Sequence, residues 1–383
     1  MQNNSGQSVK REIFRRLPYW TQLQVARAYC LIKKRRVLRR GAVRTLIFFV
    51  TSRCNLRCSH CFLWQKLDDK HDELDLDEIR KVAENLTDIS SLSLTGGEPF
   101  LRNDLNEIAR IFCKQRTVRS LGIATNGTLG DRVLPTVETL LEEHVVPELS
   151  IQVSLDGLET THDLIRSKSG AFRKAEATLF ALLKLRQRFP TLSVHAALAV
   201  QNANLDELED FIERFRSQRV PLRFNIVRGG SFGVFQLPRQ AYGSFDPRDK
   251  EESFLSLEEL KKIYEILKRK NEDGGFRFWS ERQERIWQLS LGMIEQGSGV
   301  MPCYASAMEG VLYSDGLFGH CELSKPFANV RDYNYDLGKV WASEEGVRMR
   351  RLLKRCACIH GCNLTTALTF EPETVLATLR DRR

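Results

Sequence analysis

The sequence has no apolar run long enough to cross a lipid bilayer, since its longest uninterrupted apolar stretch is a few residues and a membrane helix needs about 20. It also has no apolar N-terminal segment followed by a small-residue cleavage site, as a secretory signal would have. Internal repeats and low-complexity segments are likewise absent. We therefore expect a globular protein without a transmembrane helix.

The usual signatures of hydrolytic enzymes are missing as well. His162, Asp156 and Glu98 are candidates for acid–base chemistry, but the chain contains no nucleophile elbow, no Ser–His pairing signature and no H-E-x-x-H helix. The sequence therefore gives little support to a catalytic triad.

Ten cysteines are present, and most of them cluster at metal-ligand spacings instead of forming the disulfide framework of a short secreted protein. This usage favours a reducing compartment, and we expect a cytoplasmic protein. Cys30 and Cys113 lie in helical patterns and are predicted to be buried apolar residues.

The net charge of +9 comes from the start of the chain. Residues 1–45 contain twelve Lys or Arg against one acid, whereas the remainder has 46 basic and 48 acidic residues, so we expect no specific nucleic-acid binding.

Residues 18–40 have the pattern of an amphipathic helix. The helix has three alternative roles: contact with an anionic membrane, docking of an acidic partner or substrate, or a cover for one end of the fold with its charges in water. The last is the default, because most charged helices simply face water.

Short β-rich runs alternate with amphipathic stretches from residue 46 to about 227, as in successive βα units on a parallel sheet. At 383 residues the chain has room for one such α/β domain and a smaller appendage. Six units predict a partial TIM-like (βα)6 barrel, in which reactive groups gather at the carboxyl ends of the strands. Asp104 and Asn204 have the character of helix N-caps. The predicted strands are 45–51, 92–95, 119–125, 149–155, 193–200 and 222–227, with helices near 76–86, 104–114, 131–144, 171–188 and 204–217.

Three cysteines follow the first predicted strand with the spacing C-x3-C-x2-C: Cys54, Cys58 and Cys61. Three thiolates on one short loop can hold three irons of a 4Fe-4S cluster and leave the fourth iron without a protein ligand, whereas a closed structural site takes four cysteines. A zinc site is the alternative, but it needs a fourth Cys or His nearby, and His60 lies on a different face of the loop.

This spacing resembles the radical S-adenosylmethionine (SAM) superfamily, and the resemblance extends over residues 45–370. In that superfamily the amino and carboxylate groups of SAM chelate the open iron, and an electron cleaves SAM to a 5′-deoxyadenosyl radical. The resemblance implies a 4Fe-4S cluster and SAM as cofactors, and a reductant such as flavodoxin or ferredoxin as a partner.

Further residues at strand ends extend the resemblance. Gly96 and Gly97 allow close backbone approach to a ligand, and Glu98 can accept hydrogen bonds from an ammonium group. This Gly-Gly-Glu-Pro segment resembles the superfamily motif for the SAM amine. A hydroxyl and a guanidinium suit a carboxylate, and in related enzymes a Ser and an Arg at the separation of Ser154 and Arg166 hold the SAM carboxylate.

Two other residues have less certain roles. The resemblance implies that Asn126, at the end of the third strand, faces SAM or the substrate, while an ordinary Asn-Gly turn is an equal alternative. His60 occupies the position at which many relatives have an aromatic residue beside the adenine.

A second cysteine group lies near the C-terminus. Cys303 and Cys321 are separated by seventeen residues, and Cys356, Cys358 and Cys362 form a C-x-C-x3-C pattern. The group resembles the SPASM and twitch modules of radical SAM enzymes, which implies one auxiliary 4Fe-4S cluster. Cys303 and Cys321 are its first ligands, Cys358 and Cys362 keep the C-x3-C step, and Cys356 is expected to be the spare. A zinc ribbon is the alternative for this module.

The predicted organisation follows from these features. The segment around 228–255 is Gly- and aromatic-rich, and it is either a loop over the barrel mouth or a linker; Ser256 and Glu259 after it form a capping-box pattern. The predicted parts are a basic segment (1–44), the core barrel (45–228), a loop and helical connector (229–296), a small Cys-rich SPASM/twitch-like domain (297–370) and a C-terminal tail (371–383).

The sequence thus predicts a radical SAM enzyme that abstracts hydrogen from a peptide, a protein or a small molecule. A noncatalytic iron–sulfur or zinc-binding scaffold is the alternative from another functional class. The complete set of predicted SAM-binding residues argues against a scaffold, which has no need of a SAM site.

Overall fold

The computed structural model describes residues 14–69, 71–86, 89–114, 117–227, 234–241, 254–273, 275–301 and 303–381. Its centre is a sheet of six parallel strands that pair in chain order, as the βα pattern predicts. This arrangement is the partial TIM-like barrel of the predicted α/β class. The strands are β1 (Thr45–Thr51), β2 (Ser91–Gly96), β3 (Ser120–Thr125), β4 (Glu148–Ser154), β5 (Leu192–Val200) and β6 (Leu222–Ile226).

Helices cover the outer face of this sheet because alternate strand residues, such as Leu46, Phe48 and Val50 of β1, are apolar and bury themselves against the helices. The first long helix, α1 (Tyr19–Arg40), precedes the sheet. The helices that cover the sheet are α2 (Leu76–Glu84), α3 (Leu105–Cys113), α4 (Gly130–Glu142), α5 (Glu159–Arg166), α6 (Ala171–Arg188) and α7 (Leu208–Ser217).

Three local predictions differ from the structure. Helix α5 was not predicted, since no side chain caps its first turn. Asn204 was expected to cap α7, but its side chain closes the preceding 3-10 turn by accepting from the Gln201 backbone N–H at 3.0 Å, and α7 starts four residues later. Asp104 does precede α3, but its carboxylate binds Arg102 at 2.7 Å instead of capping the backbone.

The C-terminal part extends the same sheet. Strand β8 (Glu309–Leu312) pairs with β1 in parallel, with Thr45 opposite Glu309, and β9 (Leu317–Gly319) and β10 (Ala328–Asn329) add antiparallel strands beyond it. The order of the sheet is therefore β10-β9-β8-β1-β2-β3-β4-β5-β6. The predicted boundary at residue 297 separates two parts of the chain but not two sheets.

The connector region is only partly described. Residues 228–233 and 242–253 of the loop predicted over the barrel mouth lie outside the described residues. Between them, β7 (Val234–Phe235) pairs with β11 (Ala357–Cys358) in the C-terminal part. The capping box at Ser256 is confirmed, since its side chain accepts from the Glu259 N–H. It opens α8 (Leu257–Glu272), which is followed by α9 (Glu281–Gln296).

Helix α1 lies against the C-terminal part of the chain. Its buried side chains include Ala26, Cys30 and Val37, while Trp20 on another face is 66% exposed. It packs on α10 (Ala305–Met308) and on α14 (Pro372–Asp381), so the predicted tail contains a packed helix. None of the helices in the described ranges is both long and apolar enough to span a bilayer. The remaining helices are α11 (Leu337–Ala342), α12 (Glu344–Leu353) and α13 (Gly361–Leu368).

Candidate active site

The loop that follows β1 carries the first three cysteines to one wall of a cavity of about 240 Å³. Cys54, Cys58 and Cys61 are half-buried there, and the structure forms no disulfide with them. The start of the loop is fixed by Glu73, which accepts from the Thr51 hydroxyl at 2.6 Å and from the Ser52 N–H at 2.9 Å. The three thiols therefore lie together at the carboxyl end of the sheet, where the sequence placed them.

The two glycines after β2 hold this loop in place. Gly96 has φ +144°, and a Cβ on it would lie 2.4 Å from the Thr51 carbonyl oxygen. A Cβ on Gly97 would lie 2.1 Å from the Arg53 carbonyl oxygen. Close backbone approach was expected toward a ligand, and the structure adds a second reason, because the approach is to the cysteine loop itself. Both glycines also line the cavity.

Glu98 lies at the bottom of the cavity and is 1% exposed. Its carboxylate accepts from the Thr125 hydroxyl at 2.9 Å and from the Asn126 N–H at 2.7 Å. Burial outweighs these hydrogen bonds and raises the pKa of Glu98 to about 7. A cationic group in the cavity would favour the charged carboxylate.

Asn126 forms the Asn-Gly turn and also lines the cavity. Its Oδ1 accepts from the Thr128 N–H at 2.9 Å, which closes the Asn-Gly turn, and Gly127 has φ +73°. Its Nδ2 donates to Asn55 Oδ1 at 2.9 Å, and the residue lines the cavity. Asn126 therefore joins the end of β3 to the cysteine loop.

Arg166 reaches the cavity from the end of α5, opposite Ser154 at the end of β4. Its guanidinium lies 2.5 Å from Asp156 Oδ2, and its Nη1 is 3.5 Å from Cys58 Sγ. Burial would raise the pKa of Asp156, but the charges of Arg166 and His60 and the hydrogen bond from the Ala199 N–H together outweigh it and lower that pKa. Arg166 Nε is buried and has no hydrogen-bond partner among the described residues. The guanidinium thus retains a donor for a further acceptor.

Asp156 is the site residue whose role sequence reasoning missed. It was considered only for hydrolytic chemistry, yet it pairs with Arg166, lies 3.6 Å from His60 Nε2, and accepts from the Ala199 N–H at 2.9 Å. The one available signal was an acidic residue two positions after Ser154, the last residue of a strand. His60 lines the cavity, as its position in the motif suggested.

His162 does not face the cavity. It is fully buried, and its Nδ1 accepts from the Asp156 N–H at 3.1 Å. Burial, followed by the charge of Arg166, lowers the pKa of His162 to about 4, so the ring is neutral at physiological pH. Its role is structural, and the geometry offers no catalytic triad with Glu98.

The second cysteine group is arranged differently from the expected ligand order. Cys303, Cys321, Cys356 and Cys358 line one small cavity of about 10 Å³, and the Cys303 N–H donates to the Cys356 carbonyl at 3.3 Å. Cys356, expected to be the spare, is therefore among the four. Cys362 is not among the residues that line this cavity, and its sulfur lies 2.7 Å from His360 Nδ1. Cys362 is the second residue of α13, and its thiol remains close enough to Cys321 and Cys358 for their charges to act on it.

Both sites fit the iron–sulfur groups that the cysteine patterns imply. The first combines three soft thiol donors with a buried carboxylate and an arginine that retains a free N–H, which suits a cluster with one open iron and an amino-acid ligand on it. The second offers four thiols around one cavity, which suits a fully cysteine-ligated group.

Comparisons with known proteins agree with this geometry. Residues 48–215 match the Radical SAM superfamily model. The chain is 26% identical over 347 residues to Fe-coproporphyrin III synthase of Methanosarcina barkeri, covering 83% of this chain and 82% of that protein. It is 32% identical over 186 residues to GTP 3′,8-cyclase of Synechococcus elongatus, covering 47% of this chain and 54% of that protein.

Among solved structures, SuiB of Streptococcus suis has the same fold. Its complex with S-adenosylmethionine matches with a TM-score of 0.60 at 15% identity, covering 87% of this chain and 76% of SuiB. Its complex with the precursor peptide SuiA matches with a TM-score of 0.56 at 17% identity, covering 87% of this chain and 74% of SuiB. The family-model match places residues 48–215 in the Radical SAM superfamily, and the two SuiB structures show that the shared fold extends over most of the chain.

Proposed function

We propose that Cys54, Cys58 and Cys61 hold a 4Fe-4S cluster and that SAM binds between this loop and the ends of β2, β3 and β4. When bound, the cluster supplies the open iron and the electron with which SAM is cleaved to a 5′-deoxyadenosyl radical. The observation that carries the proposal is the convergence of three thiols, Glu98 and Arg166 on one cavity.

Glu98 and Arg166 have complementary tasks in this proposal. Glu98 is buried, and its pKa of about 7 leaves it ready to accept a cationic group, so it would bind the SAM ammonium. Arg166 and Ser154 would bind the SAM carboxylate. Asp156 is a positioning residue, because its contact of 2.5 Å with the guanidinium fixes the direction of the remaining N–H groups.

We further propose one auxiliary 4Fe-4S cluster, held by Cys303, Cys321, Cys356 and Cys358. All four thiols line one cavity, and burial raises the pKa of Cys303 to about 12. Such thiols stay protonated and apolar unless a metal group stabilises their thiolates. The cluster would exchange an electron with the substrate radical or bind the substrate directly.

The substrate proposed here is a peptide side chain or a small molecule that carries an anionic group. Arg223 pairs in register with Ala197, which lines the cavity, and it therefore lies on the same inner face of the barrel. No hydrogen bond or ion pair joins Arg223 to any other residue in the described ranges. Its positive charge supports a carboxylate or phosphate on the substrate. A flavodoxin or ferredoxin is the proposed reductant.

The test of the SAM-cleaving site uses anaerobically reconstituted protein, SAM and dithionite. Cys54→Ala, Cys58→Ala and Cys61→Ala should each abolish 5′-deoxyadenosine formation, because each removes one of three thiolates. Cys113→Ala is the matched control, since Cys113 is buried in α3 and does not line the cavity. It should leave SAM cleavage intact. Deoxyadenosine formation by any of the three loop variants would overturn the ligand assignment, and none by the native protein would favour the scaffold alternative.

A further inference from the structure

A compact group of potential metal ligands lies beside the proposed auxiliary cluster. Glu322, His360 and Cys362 each offer one ligand atom, and these atoms all lie within 4.8 Å of one another. The imidazole is in the middle, with Nδ1 2.7 Å from Cys362 Sγ and Nε2 3.2 Å from a carboxylate oxygen of Glu322. His360 is 4% exposed, so the group is almost entirely removed from water.

The surroundings of this group are anionic. Glu309, the first residue of β8, is 2% exposed, and its carboxylate is within hydrogen-bonding reach of Cys362 and of the Thr366 hydroxyl. A carboxylate and a thiol on the two nitrogens of one imidazole, with a second carboxylate beside the thiol, make an environment that favours a bound cation.

The group adjoins the four cysteines proposed to hold the auxiliary cluster, since Cys321 and Cys358 are close enough to Cys362 for their charges to act on its thiol, but its ligand atoms form a separate set. Cys362 does not line their cavity, and it packs instead against the aromatic cluster that includes Phe49 and Tyr313. The two sites are nevertheless adjacent in the chain, because Glu322 follows Cys321, and His360 and Cys362 follow Cys358. A metal ion here would fasten the β9 hairpin to the segment that carries Cys356 and Cys358.

We propose that Cys362, His360 and Glu322 bind one divalent transition-metal ion of the Zn²⁺ type, with Glu309 as the nearest source of a fourth ligand. Zinc in proteins is bound by thiolates, imidazoles and carboxylate oxygens, which are the donors present here. Mg²⁺ and Ca²⁺ do not fit this group, because they prefer oxygen ligands alone. Binding of the ion would release the thiol proton of Cys362, because the metal ligand is the thiolate. The proposal does not depend on the SAM reaction.

The experiment uses the full-length protein, reconstituted anaerobically with iron and sulfide and then given one equivalent of Zn²⁺ alone. Desalted protein is analysed for iron and zinc, and its zinc K-edge X-ray absorption is recorded, to which the iron–sulfur clusters do not contribute. We expect about one zinc per chain, with one sulfur at about 2.3 Å and nitrogen or oxygen ligands at about 2.0–2.2 Å.

Variants separate this site from the auxiliary cluster. Cys362→Ser and His360→Gln should each weaken Zn²⁺ binding at least tenfold and leave the iron content unchanged. Cys356→Ser is the matched control, which should lower iron from about eight to about four per chain and keep the zinc. If the buried variants do not fold, Zn²⁺ binding by Glu322→Gln is measured instead, because Glu322 lies at the more accessible edge of the group.

Other results would overturn the inference. Zinc with four sulfur ligands would place it in the cysteine cavity. Loss of iron in Cys362→Ser but not in Cys356→Ser would make Cys362 a cluster ligand. Native protein that binds no zinc would show that the side chains only bond to one another. A failure of the radical SAM assignment is a separate outcome, because it appears as missing 5′-deoxyadenosine with unchanged zinc.

Discussion

Replacing Arg166 tests the proposed SAM carboxylate site most directly. Arg166→Lys keeps the positive charge but loses the planar fork, which now extends between Asp156 and Cys58. A lost charge-assisted hydrogen bond costs about 1–3 kcal/mol, so SAM should bind about 5- to 150-fold more weakly. Both clusters should still assemble, because Arg166 supplies no ligand to either one.

Arg166→Ala should have a second effect on stability. Asp156 is 1% exposed, and the substitution leaves its buried carboxylate without its counter-charge. Breaking a buried pair in this way lowers the free energy of unfolding by about 3–5 kcal/mol. Arg173→Ala is the matched control, because Arg173 pairs with Glu159 at 2.6 Å but its side chain is 76% exposed. It should change stability by less than about 1 kcal/mol and leave SAM affinity unchanged.

The assay combines SAM affinity from equilibrium dialysis with urea unfolding and an iron count. Asp156→Asn adds a diagnostic comparison, because the Arg166 guanidinium then lacks the carboxylate that fixes its direction. SAM should therefore stabilise Asp156→Asn less than it stabilises the native protein. Native SAM affinity in both Arg166 variants, with a loss of stability alone, would mean that Arg166 is only the partner of Asp156.

Three further predictions concern other parts of the molecule. Reconstituted protein should contain about eight iron per chain, from two 4Fe-4S clusters; about four iron with zinc bound by four sulfurs would identify the C-terminal module as a zinc ribbon. The pKa of His162 is about 4 in the folded protein, below its unfolded value, so the unfolded chain takes up the proton first as the pH falls. The native protein should therefore lose about 2 kcal/mol of unfolding free energy between pH 7 and pH 4.5. His162→Asn, which keeps an acceptor for the Asp156 N–H, should lose correspondingly less, and an equal loss would contradict the assignment. Finally, the exposed residues Arg35, Arg36 and Arg39 of α1 should attract anionic vesicles at low salt, by about 1 kcal/mol each. The triple Gln variant should lose this binding, whereas native protein that ignores such vesicles would show that α1 serves only as a packed cover.

Local signals were sufficient to predict the barrel strands and the positions of the first three cysteines. Each predicted strand is a β-rich run followed by a polar residue or Gly, and the observed bounds of β1 are those predicted. The cysteine loop follows β1 directly, so its place at the carboxyl end of the sheet comes from the strand alone. Helix α5 carries no such local signal, since Leu158 offers no capping side chain.

Contacts between distant residues could not be predicted in the same way. Arg166 and Cys58 are 108 residues apart, and nothing near either one indicates that Arg166 contacts both Cys58 and Asp156. The roles of Cys356 and Cys362 depend on whether the chain has already entered α13, because one residue of difference turns a side chain by about 100° around a helix. Spacing alone therefore could not predict that Cys356, and not Cys362, lines the cavity that Cys303 lines.

The extension of the sheet by β8 has a consequence for the proposed metal sites. Strand β1 ends in the loop of the first three cysteines and also pairs with β8, whose first residue is Glu309. Phe49 of β1 stacks on Tyr313 at 5.0 Å and meets Phe62, the residue after Cys61, edge-on at 6.2 Å. A continuous ladder of backbone hydrogen bonds and an aromatic contact thus connect the two cysteine regions. Because packed strands do not slide past one another without breaking this ladder, the separation of the two regions is set by the sheet itself and not by a hinge.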